Sequence, residues 1–221
     1  DATVLGYQAN AEQGGLALGK DAAAGANEMV AGSSLTPLNR GRIRRTNGLA
    51  EVEQTIFQGT ADKTVSNDAA ETSILPTGQG SKTLEADALA AGRTIRITVR
   101  GVYSTDAVAP TLRIRARIGG VAGTVVADTG AQLMAAGATN RYFEVSVVIT
   151  CRTTGAAGTV QAQGLTTLST SATGASFLDM ENTGTQTIDT TVSQALEVTA
   201  EWGTADADNS IKATNALIEL L

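Results

Sequence analysis

Between residues 94 and 118 the chain alternates apolar and polar positions almost without a break. In TIRITVRGVYS (94–104) one phase holds Ile95, Ile97, Val99 and Tyr103 with Gly101 among them; in TLRIRARIGG (111–120) it holds Leu112, Ile114, Ala116 and Ile118. Successive side chains of an extended chain point to opposite faces, so a period of two predicts strands with one face on a core. Residues 104–110 have a turn-like composition, and the pair reads either as a meander or as two core strands joined across a sandwich. The alternation returns in YFEVSVVITCR (142–152), through Val145, Val147, Ile149 and Cys151, and in QALEVTAEWG (194–203), through Leu196, Val198, Ala200 and Trp202.

Further strand candidates are TIFQG from residue 55, AETSILPTG with Pro76 marking an edge or strand end, GTVVAD (123–128), GTVQAQGLTTLST (158–170), ASFLDMEN (175–182), QTIDTTV (186–192) and SIKATNALIELL (210–221). AQLMAAGATNRY (131–142) is expected to close one helical turn around Leu133 and Met134 before Gly137 stops it. Many strands and turns without strand–helix alternation predict an all-β fold for residues 55–221: a two-sheet sandwich, jelly-roll-like in connectivity. In ATNALIELL the apolar residues Ala216, Leu217, Ile218, Leu220 and Leu221 fall on both faces. A C-terminal strand of that kind reads as an apolar edge that an oligomer would cover, with Leu217 and Leu220 as interface candidates.

The polar phase of the first two strands carries Arg96, Arg100, Arg113, Arg115 and Arg117, five of the 16 basic residues in a chain of net charge -6. Arginines about 7 Å apart along a strand could follow phosphates. A nucleic-acid surface needs an electropositive footprint, however, and the acidic balance argues against one. Glu144, Glu197 and Glu201 occupy the polar phases of other strands and offer cross-strand partners. The expectation is a polar face turned to a neighbouring subunit or outward, with a solvated face as the competing reading.

The N-terminal segment has a different texture. In VLGYQANAEQGGLALGKDAAAGANEMVAGSS (4–34) the triplets Ala17-Leu18-Gly19, Ala23-Ala24-Gly25 and Val30-Ala31-Gly32 recur, and Gly6, Gly19 and Gly32 are 13 residues apart. So small a unit buries no face alone and needs further repeats, neighbouring subunits or a host surface; the alternative is a flexible Gly/Ala linker. GGLALGKD (14–21) approaches a phosphate loop but has Asp21 where the magnesium-binding hydroxyl belongs. TPLNRGRIRRTNGLAEVE (36–53) gathers Arg40, Arg42, Arg44 and Arg45 and reads as an exposed connector or as an arm reaching an acidic partner. The expected organisation is a Gly/Ala-rich repeat or attachment arm over 1–38, a basic connector over 39–54 and a sandwich head over 55–221.

The Ala-Leu-Gly, Ala-Ala-Gly and Val-Ala-Gly triplets resemble the head repeats of trimeric autotransporter adhesins and related bacteriophage fibre proteins. The likeness covers residues 4–34, with one spacing a residue short of the usual seven and Asp or Ala at several expected serines. The Thr/Ala/Gly-rich remainder resembles, in general style, the heads of phage fibres, spikes and other virion appendages. The resemblance implies a homotrimer on the virion, assembled in the host cytoplasm, joined to other virion proteins through its N-terminal arm and able to meet a host glycan or receptor.

The chemistry that composition leaves open is narrow. The chain has no histidine and one cysteine, Cys151, in phase with the core, which excludes histidine relays, Cys/His zinc sites and an intrachain disulfide. ADADNS (205–210) reads as a turn rather than a calcium loop, so no metal and no cofactor are expected. No apolar run approaches the roughly 20 residues of a membrane helix, and no membrane partner is expected. Glu144, Glu197 and Glu201 are the carboxylates an alternative glycan hydrolase would use. A non-enzymatic virion fibre or spike head is the leading expectation, with a capsid-decoration or glycan-binding module as the alternative. Tyr103, Tyr142 and Trp202 are the candidate ligand-surface aromatics.

Overall fold

The computed structural model describes residues 54–170, 174–182 and 184–221, together with five short strands within the first 31 residues. Contacts divide the chain into two units, Asp1–Glu53 and Gln54–Leu221. In the first, β1 (Thr3–Leu5), β3 (Leu16–Leu18) and β5 (Met29–Ala31) form one parallel sheet, and β2 (Asn10–Ala11) and β4 (Ala23–Ala24) form another. Thr3 pairs with Leu16, Leu16 with Met29 and Asn10 with Ala23, a constant step of 13 residues. That step is the interval separating Gly6, Gly19 and Gly32. Arg40, Arg42, Arg44 and Arg45 lie outside the described residues.

The second unit runs through β6 (Gln54–Gly59), β7 (Lys63–Ser66), β8 (Thr72–Ser73), β9 (Gly78–Gly80), β10 (Thr83–Leu84), β11 (Thr94–Ser104), β12 (Thr111–Ile118), β13 (Thr124–Asp128), β14 (Gln132–Leu133), β15 (Arg141–Thr153), β16 (Gly158–Ser169), β17 (Ala175–Glu181), β18 (Gln186–Ile188), β19 (Gln194–Trp202) and β20 (Ser210–Leu220). It is all-β, with no helix among the described residues. A nine-stranded antiparallel sheet has the order β17-β16-β15-β11-β20-β6-β9, with β18 also on β16 and β7 also on β20. A six-stranded sheet has the order β10-β19-β12-β13, with β14 on β12 and β8 on β19. Strands β11 and β12 belong to different sheets, so the chain between them crosses the sandwich rather than forming a meander.

Alternation drives the packing. Ile95, Ile97, Val99, Val145, Val147 and Ile149 of the large sheet and Ile114, Leu196, Val198 and Ala200 of the small one are almost wholly buried. Each large aliphatic removed from water contributes about 1.5–3 kcal/mol. Between β6 and β11 the chain adds strands to the two sheets in turn, and Ile74, Leu75, Leu84 and Leu89 from this stretch seal one side of the core. On the opposite side the Asn182 amide donates to the Val125 carbonyl at 3.1 Å.

Two expectations are corrected. Residues 131–142 form no helical turn: β14 pairs with β12, and Thr105 Oγ1 donates to the Ala135 carbonyl while accepting from the Ala138 N–H. These bonds take the groups that a helix would use. Nor is the C-terminal strand an edge, because β20 lies inside the large sheet between β11 and β6. A bulge opposite Arg100 and Gly101 shifts its phase, so that Ile211 and Ala213 and then Ala216, Ile218 and Leu220 all face the core. Leu220 is therefore a core residue, while Leu217 takes the outer phase. Gly101 permits the close approach there, since a Cβ would sit 1.9 Å from the Lys212 carbonyl oxygen.

Candidate functional site

The arginine-bearing phases of β11 and β12 form the outer faces of the two sheets, and they differ. On the small sheet, Arg113, Arg115 and Arg117 of β12 stand opposite Glu201, Thr199 and Glu197 of β19. Arg115, its side chain 8% exposed, reaches Glu71 at 2.5 Å, Glu201 at 2.6 Å and Asp128 at 3.5 Å. Arg117 forks onto Glu71 at 2.5 and 2.7 Å and donates to the Gly123 carbonyl at 2.6 Å. Arg113 forks onto Asp128, and Ser73 donates to Glu197.

Glu71 reaches this position because the next two residues pair with β19. Thr199 is short enough to let the carboxylate lie across it, and donates to it at 2.5 Å. Burial works to raise the Glu71 pKa, but hydrogen bonds from Arg117 and Thr199 and the charges of Arg115 and Arg117 outweigh it and the pKa falls. Asp128 behaves alike: burial opposes ionisation, while Arg113, the Gly130 N–H and Arg115 overcome it. Neither Glu71 nor Asp128 was legible as a partner from alternation alone, since Glu71 lies outside every long strand. Asp128 was within reach of sequence reasoning once β12 and β13 were seen as a hairpin, because it pairs with Arg115.

The large sheet presents a more open surface. Arg96 pairs with Glu219 at 3.1 Å and Arg100 with Glu144 at 3.0 Å, the arginine side chains remaining 41% and 54% exposed. A shallow polar concavity lies over them, lined also by Thr98, Ser146, Asn215 and Leu217. The Tyr142 hydroxyl donates to Glu144 at 2.7 Å. Hydrogen bonds from Arg100 and Tyr142 hold the Glu144 pKa down, whereas burial and the bond to Glu144 raise that of Tyr142. Strand register carries this face outward to Leu165 on β16 and Phe177 on β17, both exposed.

Of the three candidate ligand aromatics, the structure leaves one at the surface. Tyr103 and Trp202 are each 1% exposed, because both occupy the core phase of their strands; neither offers its ring to a ligand. Tyr103 donates its hydroxyl to the Ser169 carbonyl at 2.7 Å. Tyr142 is 43% exposed, and Phe177, which the sequence reading passed over, is 67% exposed.

The carboxylates of the hydrolase alternative are not brought together. Glu144 lies on one outer face and Glu197 and Glu201 on the other. Four positions along a strand separate Glu197 and Glu201 by about 13 Å, beyond the roughly 5–9.5 Å that glycosidase pairs use. A carboxyl held ionised, as in Glu144, is also a poor general acid. Cys151 is buried, with its pKa raised by that burial. Asp106, Asp206 and Asp208 place carboxylate oxygens within 4.8 Å of one another and are the group that could receive a cation.

No protein-family model matches the chain, and no curated protein matches it. Among solved structures, one of infectious bursal disease virus, Gt strain, aligns with 81% of this chain and 37% of its own at 12% identity and a TM-score of 0.26. The chain thus spans little more than a third of that protein's length, and a superposition at this score establishes no common fold.

Proposed function

We propose that this chain is a non-enzymatic structural protein of a virion, its jelly-roll-like sandwich displayed as a fibre or spike head and its N-terminal unit serving to attach or extend it. The observation that supports this most is the 13-residue step of the first unit, a stack of strands two or three residues long. Parallel strands normally need long crossovers to buried sheets, whereas such a stack lengthens by repetition. It agrees with the resemblance to trimeric fibre repeats, and a homotrimer is part of the reading. The sandwich adds well-satisfied ion pairs, a buried thiol and no histidine, a composition suited to durability rather than turnover.

A second reading, a glycan-binding or capsid-decoration module, is favoured by Tyr142. Its exposed ring stands beside Arg100 and Glu144, groups able to stack on a sugar ring and to bond its hydroxyls. Electron microscopy of intact particles carrying a labelled copy tests the first reading: density at a projecting appendage supports it, and label absent from the particle sinks it. A glycan array probed with native protein and with Tyr142→Ala tests the second, which fails if no glycan is retained or if the variant binds as well as the native chain.

A further inference from the structure

We propose that the β17 edge of one copy docks against the β11 arginines of a second copy, within a closed ring whose axis runs along the strands. This rests on the oligomeric reading above and names the surface that serves it. The reasons that sequence offered for an oligomer do not survive in the structure, since β20 is a central strand and the five arginines have partners within the chain. A different part of the molecule takes their place.

Strand β17 has no strand on its outer edge among the described residues, and it presents Phe177, Asp179 and Glu181 on the outer face. Asp179 and Glu181 make no ion pair among the described residues, unlike the carboxylates of the small sheet. Two carboxylates beside an exposed phenyl ring on an open edge call for a partner that is cationic and partly apolar.

The register shows that this chain carries such a partner at matching heights. Across β17, β16, β15 and β11, one row reads Phe177, Thr167, Glu144, Arg100, the next Asp179, Leu165, Ser146, Thr98, and the third Glu181, Gln163, Val148, Arg96. Glu181 is level with Arg96, and Asp179 lies between the heights of Arg96 and Arg100. Rotation about an axis parallel to the strands moves a row sideways without changing its height. It therefore brings the acids of one copy level with the arginines of the next for any closed ring built on that axis. Phe177, Leu165 and Val148 run diagonally between the two columns and supply the apolar middle. Arg96 and Arg100 each hold one carboxylate already, but a guanidinium has five N–H donors, and these two are about half exposed. A charged rim around an apolar centre fixes register and excludes wrong pairings.

The test uses the full chain. In Glu181→Cys/Arg96→Cys the two thiols of one molecule are three strand spacings apart, about 14 Å, and a disulfide needs Cα atoms within about 7 Å. Oxidation should link separate copies into a ladder on a non-reducing gel, ending at the ring number, with neither single variant giving it. Light scattering should show Leu165→Arg reduced to a monomer of 22.5 kDa with its melting transition intact, while Leu133→Arg, on the exposed β14, keeps the native mass. A native oligomer that neither cross-links nor loses mass in Leu165→Arg overturns this surface and leaves the oligomeric reading standing. A native chain that is monomeric at every concentration overturns both.

Discussion

Strands β11 and β12 follow one another, carry the same alternation of arginine with aliphatic residues, and end on two different kinds of surface. The β12 arginines are folded into the small sheet by Glu71, Asp128 and Glu201, and Arg115 is nearly buried. The β11 arginines hold one carboxylate each and remain about half exposed. The strand's own sequence does not make the difference; what lies beside it does. Alongside β12 stand a hairpin partner and the segment that carries Glu71, whereas β11 lies between two long strands whose outer residues are mixed and small. An identical local pattern thus becomes a structural clamp in one sheet and an accessible, recognition-grade surface in the other.

The comparison can be broken most forcefully at the core, where the sheets should behave alike. Ile97→Ala and Ile149→Ala in the large sheet and Ile114→Ala in the small one should each cost about 2–5 kcal/mol, measured by denaturant melts. A loss below about 0.5 kcal/mol at all three would mean that the face assignments are wrong. Next in size is the clamp: Arg115→Ala strands Glu71 and Glu201 without their buried cation and should cost about 3 kcal/mol. A near-neutral result would reduce the small sheet's network to surface decoration.

Acid provides a finer probe of the same contrast. The folded pKa values of Glu71 and Asp128 lie below their ordinary ones, so their contribution is fully present above the ordinary carboxylate range. It is lost as pH falls from about 4 through the lower folded values. Urea midpoints should decline over that window in the native chain and less in Arg115→Ala; equal slopes would detach the effect from the network. The smallest expected effect belongs to the open face: Arg100→Ala should cost under about 0.5 kcal/mol, because its pair is exposed and screened. Chelators should likewise leave the melting temperature unchanged. A large drop on chelation would show that Asp106, Asp206 and Asp208 hold a structural ion.

The alternation made the inner faces readable, down to Tyr103 and Trp202, whose phase already placed them in the core rather than at a ligand surface. It also exposed Arg96, Arg100 and the β12 arginines as an outward set. Periodicity could not show which sheet each strand joins, because β11 and β12 share a pattern and part company only through long-range pairing. Nor could it carry across the β20 bulge, where one extra residue inverts the phase and made a central strand look like an edge. Glu71 lay beyond reach for a third reason: its role depends on a two-residue strand too short to leave any period. Phe177 was in view within ASFLDMEN, but its exposure follows from β17 being the last strand of the sheet, a fact of topology.

The constant 13-residue step of the first unit bears on how such a chain can vary in length. Where each strand pairs with the one 13 positions later, an insertion or deletion of 13 residues returns every remaining strand to an equivalent neighbour. Any other number displaces the pairing and, when odd, turns the strand over. Length changes in this unit should therefore be quantised, each tolerated one shifting the stack by one strand spacing, about 4.8 Å. The segment works as a ruler, graduated in its own sequence.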